Sequence, residues 1–401
     1  MQKSDRQRLL VLFIQTHVGG AMTALVNFVN ALDTDRYDVD LMFYEMQGSV
    51  EGIKPEIRIL PQGKQGGGIV KRLLCPAYVA AYAHAQYLRR IRRSPLLAVQ
   101  RIAKQGCRFS RRLNKTYDIA VAFELNWPFD YMMRYVDARR KVVWHHNDYY
   151  EIGYCFRWDK PFFDRVDAMA FVSRECMKKF VALHPEYDGK CFFMPNIMAK
   201  ASLLARAQEP VQLPFEPVRP GVNFVTVARL EFATKGLDRM IPVLCRLRDE
   251  GLIGRVRWLI VGDGRDMPRF RQMIADSGLQ EVVWPIGLRE NPLPYLRLAD
   301  AFLLPSRNEG RPVVITEAQT LGLVPVVTHY ASAPEQIEHG VDGFILENND
   351  DALYEGVRNL VLHPEKLEAA RAVLQGRTYT NERDIACFDA MVDRLDGAPA
   401  Q

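Results

Sequence analysis

Aspartate and glutamate are missing from Ile57 to Tyr117, although arginine and lysine recur throughout that stretch. Its densest part holds Arg89, Arg90, Arg92, Arg93, Arg101, Lys104, Arg108, Arg111 and Arg112, interleaved with Tyr87, Leu88, Ile91, Leu96, Leu97 and Phe109. A basic amphipathic stretch of this kind, taken as residues 71–115, suits an anionic membrane surface. A solvated helix face accounts for it equally well. No nucleic-acid motif accompanies the charge, which counts against nucleic acid as a partner. Long apolar runs are missing too. The run Leu9–Ile14 follows Lys3, Arg6 and Arg8 but gives way at Gln15, too short to cross a bilayer or to form the core of a signal peptide. Cysteine is sparse: the seven (Cys75, Cys107, Cys155, Cys176, Cys191, Cys245 and Cys387) are scattered, with no metal-knuckle or redox spacing. They read as reduced thiols filling small apolar sites, and the expectation is a cytoplasmic chain.

What is present is ordinary globular material. Apolar residues make up 48% and charged residues 25% of 401 residues, a length at which one core gives way to two domains. β-Branched apolar runs alternate with amphipathic helical patterns, the mark of parallel sheets covered by helices on both faces. Strands are expected at 9–14, 38–44, 119–123, 141–144, 168–172 and 191–194, with a first helix at 22–32. A second series is expected at 223–227, 257–261, 282–285, 301–304 and 324–328. Ser173 is placed to cap the helix that follows it. Pro210, Pro214, Pro217 and Pro220 crowd a segment that can extend neither helix nor central strand. The domains are therefore drawn at 1–198 and 221–376, with a linker at 199–220. A C-terminal helix in 377–401 is expected to pack back on the first domain.

The most informative segment runs from Ser306 to Ala318, directly after the apolar strand ending at Leu304. Pro312 suits a helix start and Gly322 its end. Glu309 then lies in the loop at the strand's carboxyl end, and Glu317 on the helix about a turn further in. A carboxylate accepts two hydroxyl hydrogen bonds at once, so such a pair can hold the diols of a sugar and a ribose. The helix start between them favours a diphosphate, and Gly310 lets a ligand approach the backbone.

In that context Glu309 to Glu317 resembles the paired-glutamate motif of the retaining family 4 glycosyltransferases. The resemblance implies the GT-B fold, α/β with two Rossmann-like doubly wound domains facing across a cleft. Val227-Ala228-Arg229-Leu230 and Lys235-Gly236-Leu237 are similar to the family's Arg and Lys pair, whose cations contact the donor diphosphate, although the spacing of six is one longer than the pattern. Trp284-Pro285-Ile286-Gly287 resembles the junction near the base, and Gly19-Gly20-Ala21 the glycine loop facing donor phosphates and acceptor. Met22 stands where many relatives carry Glu. Trp144-His145-His146-Asn147-Asp148 aligns His146 with the active-site histidine, while leaving open which imidazole faces the cleft.

The resemblance makes 1–198 the acceptor-binding domain and 221–376 the nucleotide-sugar-binding domain. Glu309, His146, Arg229 and Lys235 become the catalytic candidates. Gly19, Gly20, Arg229, Lys235, Gly287, Glu309, Gly310, Arg311, Pro312, Val313 and Glu317 become the donor contacts. The expected activity is retaining transfer of a hexose from a nucleotide diphosphate sugar, UDP-sugar favoured, to a glycan or lipid-linked glycan in cell-surface polysaccharide or lipopolysaccharide synthesis. No metal or other cofactor is expected, because preorganised cations and amides can neutralise the leaving diphosphate. The Asp38-Val39-Asp40 pair looks like a metal motif but falls inside an expected strand. An epimerase or hydrolase on the same fold, and a non-catalytic glycan-binding relative, stay open as alternatives. Gly262-Asp263-Gly264 lacks the third glycine of a nicotinamide-binding turn. The sugar, the acceptor, the linkage and the oligomeric state are not readable from the residues.

Overall fold

The computed structural model describes residues 6–15, 19–46, 50, 52–61, 100–104, 107 and 110–397. Most of the basic stretch 71–115 lies outside the described residues, as do Cys75 and the ends of the chain. The chain divides into two compact units, one running to Asn196 and resuming at Arg383, the other spanning Ile197–Glu382.

The first unit is built on seven parallel strands: β1 (Gln7–Gln15), β2 (Tyr37–Glu45), β3 (Arg58–Ile59), β4 (Thr116–Ala122), β5 (Asp137–His145), β6 (Ala168–Phe171) and β7 (Cys191–Phe193). Their order is β3-β2-β1-β4-β5-β6-β7. The second carries β8 (Val222–Val227), β9 (Val256–Val261), β10 (Val283–Gly287), β11 (Ala301–Leu304), β12 (Val324–Thr328) and β13 (Phe344–Leu346), ordered β10-β9-β8-β11-β12-β13. Both are doubly wound, with the strand order reversing between β1 and β4 and between β8 and β11. In such sheets ligands bind beyond the carboxyl ends of the strands at these reversal points.

The strands form where the runs of Val, Ile, Leu and Phe predict. Leu9–Leu12 and Ala301–Leu304 are almost wholly buried, as strands covered on both faces must be. The short β3 and β13 were not expected, since two or three residues cannot display a period of two. Ser173 does cap the Arg174–Leu183 helix, its Oγ accepting from the Cys176 amide at 3.1 Å. The 199–220 stretch lies within the second unit and holds a helix at Lys200–Arg206. The Ala386–Leu395 helix belongs to the first unit. Its Phe388 meets Phe28, Tyr37 and Trp144 with ring centroids 5.1–6.4 Å apart, and Asp389 accepts from Tyr37 at 2.7 Å. Burying such a ring is worth about 2–3 kcal/mol.

Asp40 is spoken for. The side chain is fully buried and accepts from Lys115 and Tyr117, both at 2.7 Å, and from Arg58 at 2.6 Å. The charge is thus compensated inside the sheet.

Candidate active site

In the second unit the reversal point lies between β8 and β11, and the candidate residues leave from these two strands. The chain leaving β8 is pinned to its neighbour, the Ala228 amide donating to Val261 at 3.1 Å and the Leu230 amide to Asp263 at 3.0 Å. Gly262 makes this possible: its φ is +145°, and a Cβ there would sit 1.9 Å from the Ala228 carbonyl oxygen. The following turn, Phe232–Lys235, ends on Gly236 in the left-handed region at φ +63°. A Cβ on Gly236 would lie 2.3 Å from the Pro305 carbonyl, so glycine lets this turn press against the loop leaving β11.

That approach brings two residues distant in sequence together. Lys235 Nζ lies 2.6 Å from Glu309 Oε1, and Ser306 Oγ donates to the same oxygen at 2.6 Å. Glu309 is 9% exposed. With both bonds on Oε1, Oε2 is the oxygen that can accept from a ligand hydroxyl. Arg229 is exposed at the exit of β8 and has no ion-pair partner among the described residues. Gly287 ends β10 and accepts from the Gly262 amide at 2.9 Å, which ties the β10 exit to the β8 exit through one glycine.

The loop carrying Glu309 is braced on every side. Arg307 binds Asp238 through two nitrogens at 2.8 and 3.0 Å, and also donates to the Phe232 carbonyl. Asn348 donates to the carbonyls of Arg307 (3.1 Å) and His329 (3.0 Å) and accepts from the buried Arg239 at 2.6 Å. Gly310 accepts from Ser332 Oγ, Pro312 accepts from Gln336 at 3.2 Å, and Arg311 pairs with Glu335 at 3.1 Å. The helix is Val313–Thr320 with Pro312 at its cap and no side-chain cap. The amides of Val313 and Val314 thus have no partner within the helix. Glu317, in the second turn, is 9% exposed. Burial pushes its carboxyl up to about 7, with Arg206 acting in the opposite direction.

In the first unit β5 settles which histidine is which. His145 is 1% exposed and stacks on Phe171 at 4.4 Å, with Phe163 and Phe180 beside it and neither ring nitrogen hydrogen-bonded. It is a core residue. His146 lies just past the strand end with Nε2 2.7 Å from the Phe123 carbonyl. That nitrogen must carry the proton, so Nδ1 is the acceptor of a neutral ring. Burial lowers His146 to about 4, against the raising effect of that hydrogen bond. Phe123 is itself held to β1, its amide donating to Leu12 at 2.9 Å. Gly19 caps the Gly20–Ala31 helix that follows β1, and a Cβ on Gly19 would meet nothing within 4 Å.

The sequence reading assigned no role to Ser306, Arg239, Asn348 or Asn126. Asn126, at the exit of β4, has φ +68° and ψ −127°, a strained conformation for a residue with a Cβ, costing about 1–3 kcal/mol. Its Nδ2 donates to Tyr154 at 2.7 Å. Nothing local marks Arg239, Asn348 or Asn126, because their partners lie tens of residues away, whereas Ser306 bonds Glu309 only three residues on.

Residues 221–363 match the family model of the glycosyl transferases group 1. The two doubly wound units are of the GT-B class. Over 137 residues the chain is 34% identical to the amylovoran biosynthesis glycosyltransferase AmsK of Erwinia amylovora, covering 32% of this chain and 33% of that one. Over 103 residues it is 33% identical to an Escherichia coli UDP-Gal:alpha-D-GlcNAc-diphosphoundecaprenol alpha-1,3-galactosyltransferase, covering 25% and 27%. The chain thus spans about a third of the length of the curated relatives it matches. Among solved structures, Anabaena HepE in complex with UDP and glucose superposes with a TM-score of 0.66 at 16% identity, covering 98% of this chain and 100% of that one. Among the described residues no helix is long and apolar enough to cross a membrane.

Proposed function

We propose that this protein is a retaining glycosyltransferase that moves a hexose from a nucleotide diphosphate sugar, UDP-sugar favoured, to a glycan or lipid-linked glycan in polysaccharide assembly. The observation that carries the reading is the Lys235–Glu309–Ser306 cluster at the β8/β11 reversal point, in the loop that leads into the Val313–Thr320 helix. Arg229, Lys235 and the amides of Val313 and Val314 neutralise charge on the leaving diphosphate, the role that preorganised donors play best. No metal is needed for that step. Glu309 Oε2 accepts from a donor-sugar hydroxyl, and Glu317 from the ribose. His146 stays neutral and can accept a sugar hydroxyl through Nδ1. Retention follows if the leaving phosphate deprotonates the acceptor on the face it departs from. The UDP complex of HepE and the lipid-linked acceptor named for the Escherichia coli relative favour this choice of substrates.

Calorimetric titration with UDP, GDP and ADP, each with and without EDTA, tests the reading. Micromolar binding of one nucleotide, indifferent to EDTA, is expected. Binding of none would favour a degenerate glycan-binding relative. The basic stretch 71–115 is proposed to meet an anionic inner-membrane surface. Equal flotation with anionic and neutral vesicles would remove that claim.

A further inference from the structure

The loop directly after His146 presents an aromatic ring that neither the core nor the chemistry above uses. Tyr150 is 37% exposed, unusual for a tyrosine set among so many other rings. Its ring lies nearly parallel to His184 (20°, centroids 5.9 Å), and its hydroxyl is bonded to His184 Nε2. His184 in turn stacks on Phe156 at 3.7 Å and 15°. Tyr149 meets Tyr150 edge-on at 5.3 Å, and is itself fixed by a 2.7 Å hydrogen bond to the buried Asp159. Tyr150 therefore has little rotational freedom left to lose on binding.

The backbone beneath it is held as firmly. Asp148 Oδ1 accepts from the amides of Tyr150 (3.0 Å) and Glu151 (3.1 Å), and Lys179 bridges Asp148 and Glu151 at 3.2 and 2.8 Å. The same loop is tied to the β4 exit by the strained Asn126, which donates to Tyr154. The loop also carries the exposed polar residues Asn147 and Glu151, and Glu186 lies within electrostatic range of the Tyr150 hydroxyl. Three residues lie between His146 and Tyr150, a span of at most about 14 Å.

A fixed, exposed ring on a loop that carries polar residues matches one ligand chemistry well. The C–H face of a pyranose is drawn to the negative face of an aromatic ring, while its equatorial hydroxyls bond to polar groups. We propose that Tyr150 is a stacking platform for a pyranose ring, the saccharide end of the acceptor. This rests on the transferase reading for the word acceptor, and on Tyr150 alone for the platform. A protein-docking role would want a broad apolar patch in place of one ring on a loop that carries polar residues.

The test is saturation-transfer NMR on the full chain with the methyl α-glycosides of glucose, galactose and mannose, comparing wild type, Tyr150→Phe and Tyr150→Ala. Transfer to the ring C–H protons of at least one glycoside is expected in wild type and Tyr150→Phe, and about fivefold to tenfold less in Tyr150→Ala. Equal transfer in Tyr150→Ala, or none in wild type, overturns the platform. Calorimetry with UDP, GDP and ADP on the same samples separates the two readings, and circular dichroism confirms that each variant is folded. Nucleotide binding unchanged across the variants, with glycoside transfer lost only in Tyr150→Ala, supports both. Tyr150-dependent glycoside transfer without any nucleotide binding sinks the transferase and leaves the platform standing.

Discussion

Replacing Glu317 by glutamine should make the protein more stable at neutral and alkaline pH and leave it unchanged in acid. The Glu317 carboxyl is buried, and its affinity for a proton rises from the ordinary 4.5 to about 7 because desolvation outweighs the attraction of Arg206. A raised folded-state value means that the native protein holds a proton the unfolded chain has released. Stability is therefore full below about pH 4.5 and is lost as pH climbs through 7. At about 1.4 kcal/mol per pKa unit, the loss reaches about 3 kcal/mol by pH 8. Glutamine has the shape of the protonated acid and cannot ionise, so this loss disappears in the variant. Urea unfolding followed by tryptophan fluorescence at pH 5, 6, 7 and 8 gives the comparison. The two proteins should differ by less than about 1 kcal/mol at pH 5 and diverge progressively towards pH 8, with unchanged m-values. A difference that is constant with pH, or that favours wild type at pH 8, would refute the reasoning. The same proton should appear in binding: a ribose that donates to Glu317 favours the carboxylate, so UDP-glucose should bind more weakly as pH falls below 7.

Lys235→Met should weaken nucleotide binding by about tenfold to a hundredfold, the worth of a charged hydrogen bond; an unchanged affinity in calorimetry would take Lys235 out of the site. His146, lowered to about 4, should show nitrogen shifts of a neutral ring protonated on Nε2 at pH 6, and a cationic ring there would contradict its placement. Being depressed, its contribution to stability is complete above about pH 6.5 and lost as pH falls through 4. At Asn126 the usual order of substitutions should invert: Asn126→Gly should be more stable than Asn126→Ala by about 1–3 kcal/mol in urea unfolding, because only glycine adopts φ +68° and ψ −127° without strain.

The periodic parts of this fold were legible in the residues because they are local. Buried runs such as Ala301–Leu304 and Val324–Thr328 emerge as strands at their expected ends. The Pro312 to Gly322 punctuation brackets a helix, since a proline start and a glycine stop act within a few residues of themselves. The spacing of Glu309 and Glu317 around that helix start could be read off in the same way. What the residue order could not supply was the company these groups keep. Lys235 and Glu309 are 74 residues apart and meet through the close approach that Gly236 permits. The division of labour between His145 and His146 depends on which ring the aromatic core encloses. The pKa of Glu317 depends on burial by surrounding elements, and the anchoring of Tyr150 on His184, a contact across 34 residues. Strand order, non-local contact and local dielectric all come from how the elements assemble, and each couples residues that no sequence window contains.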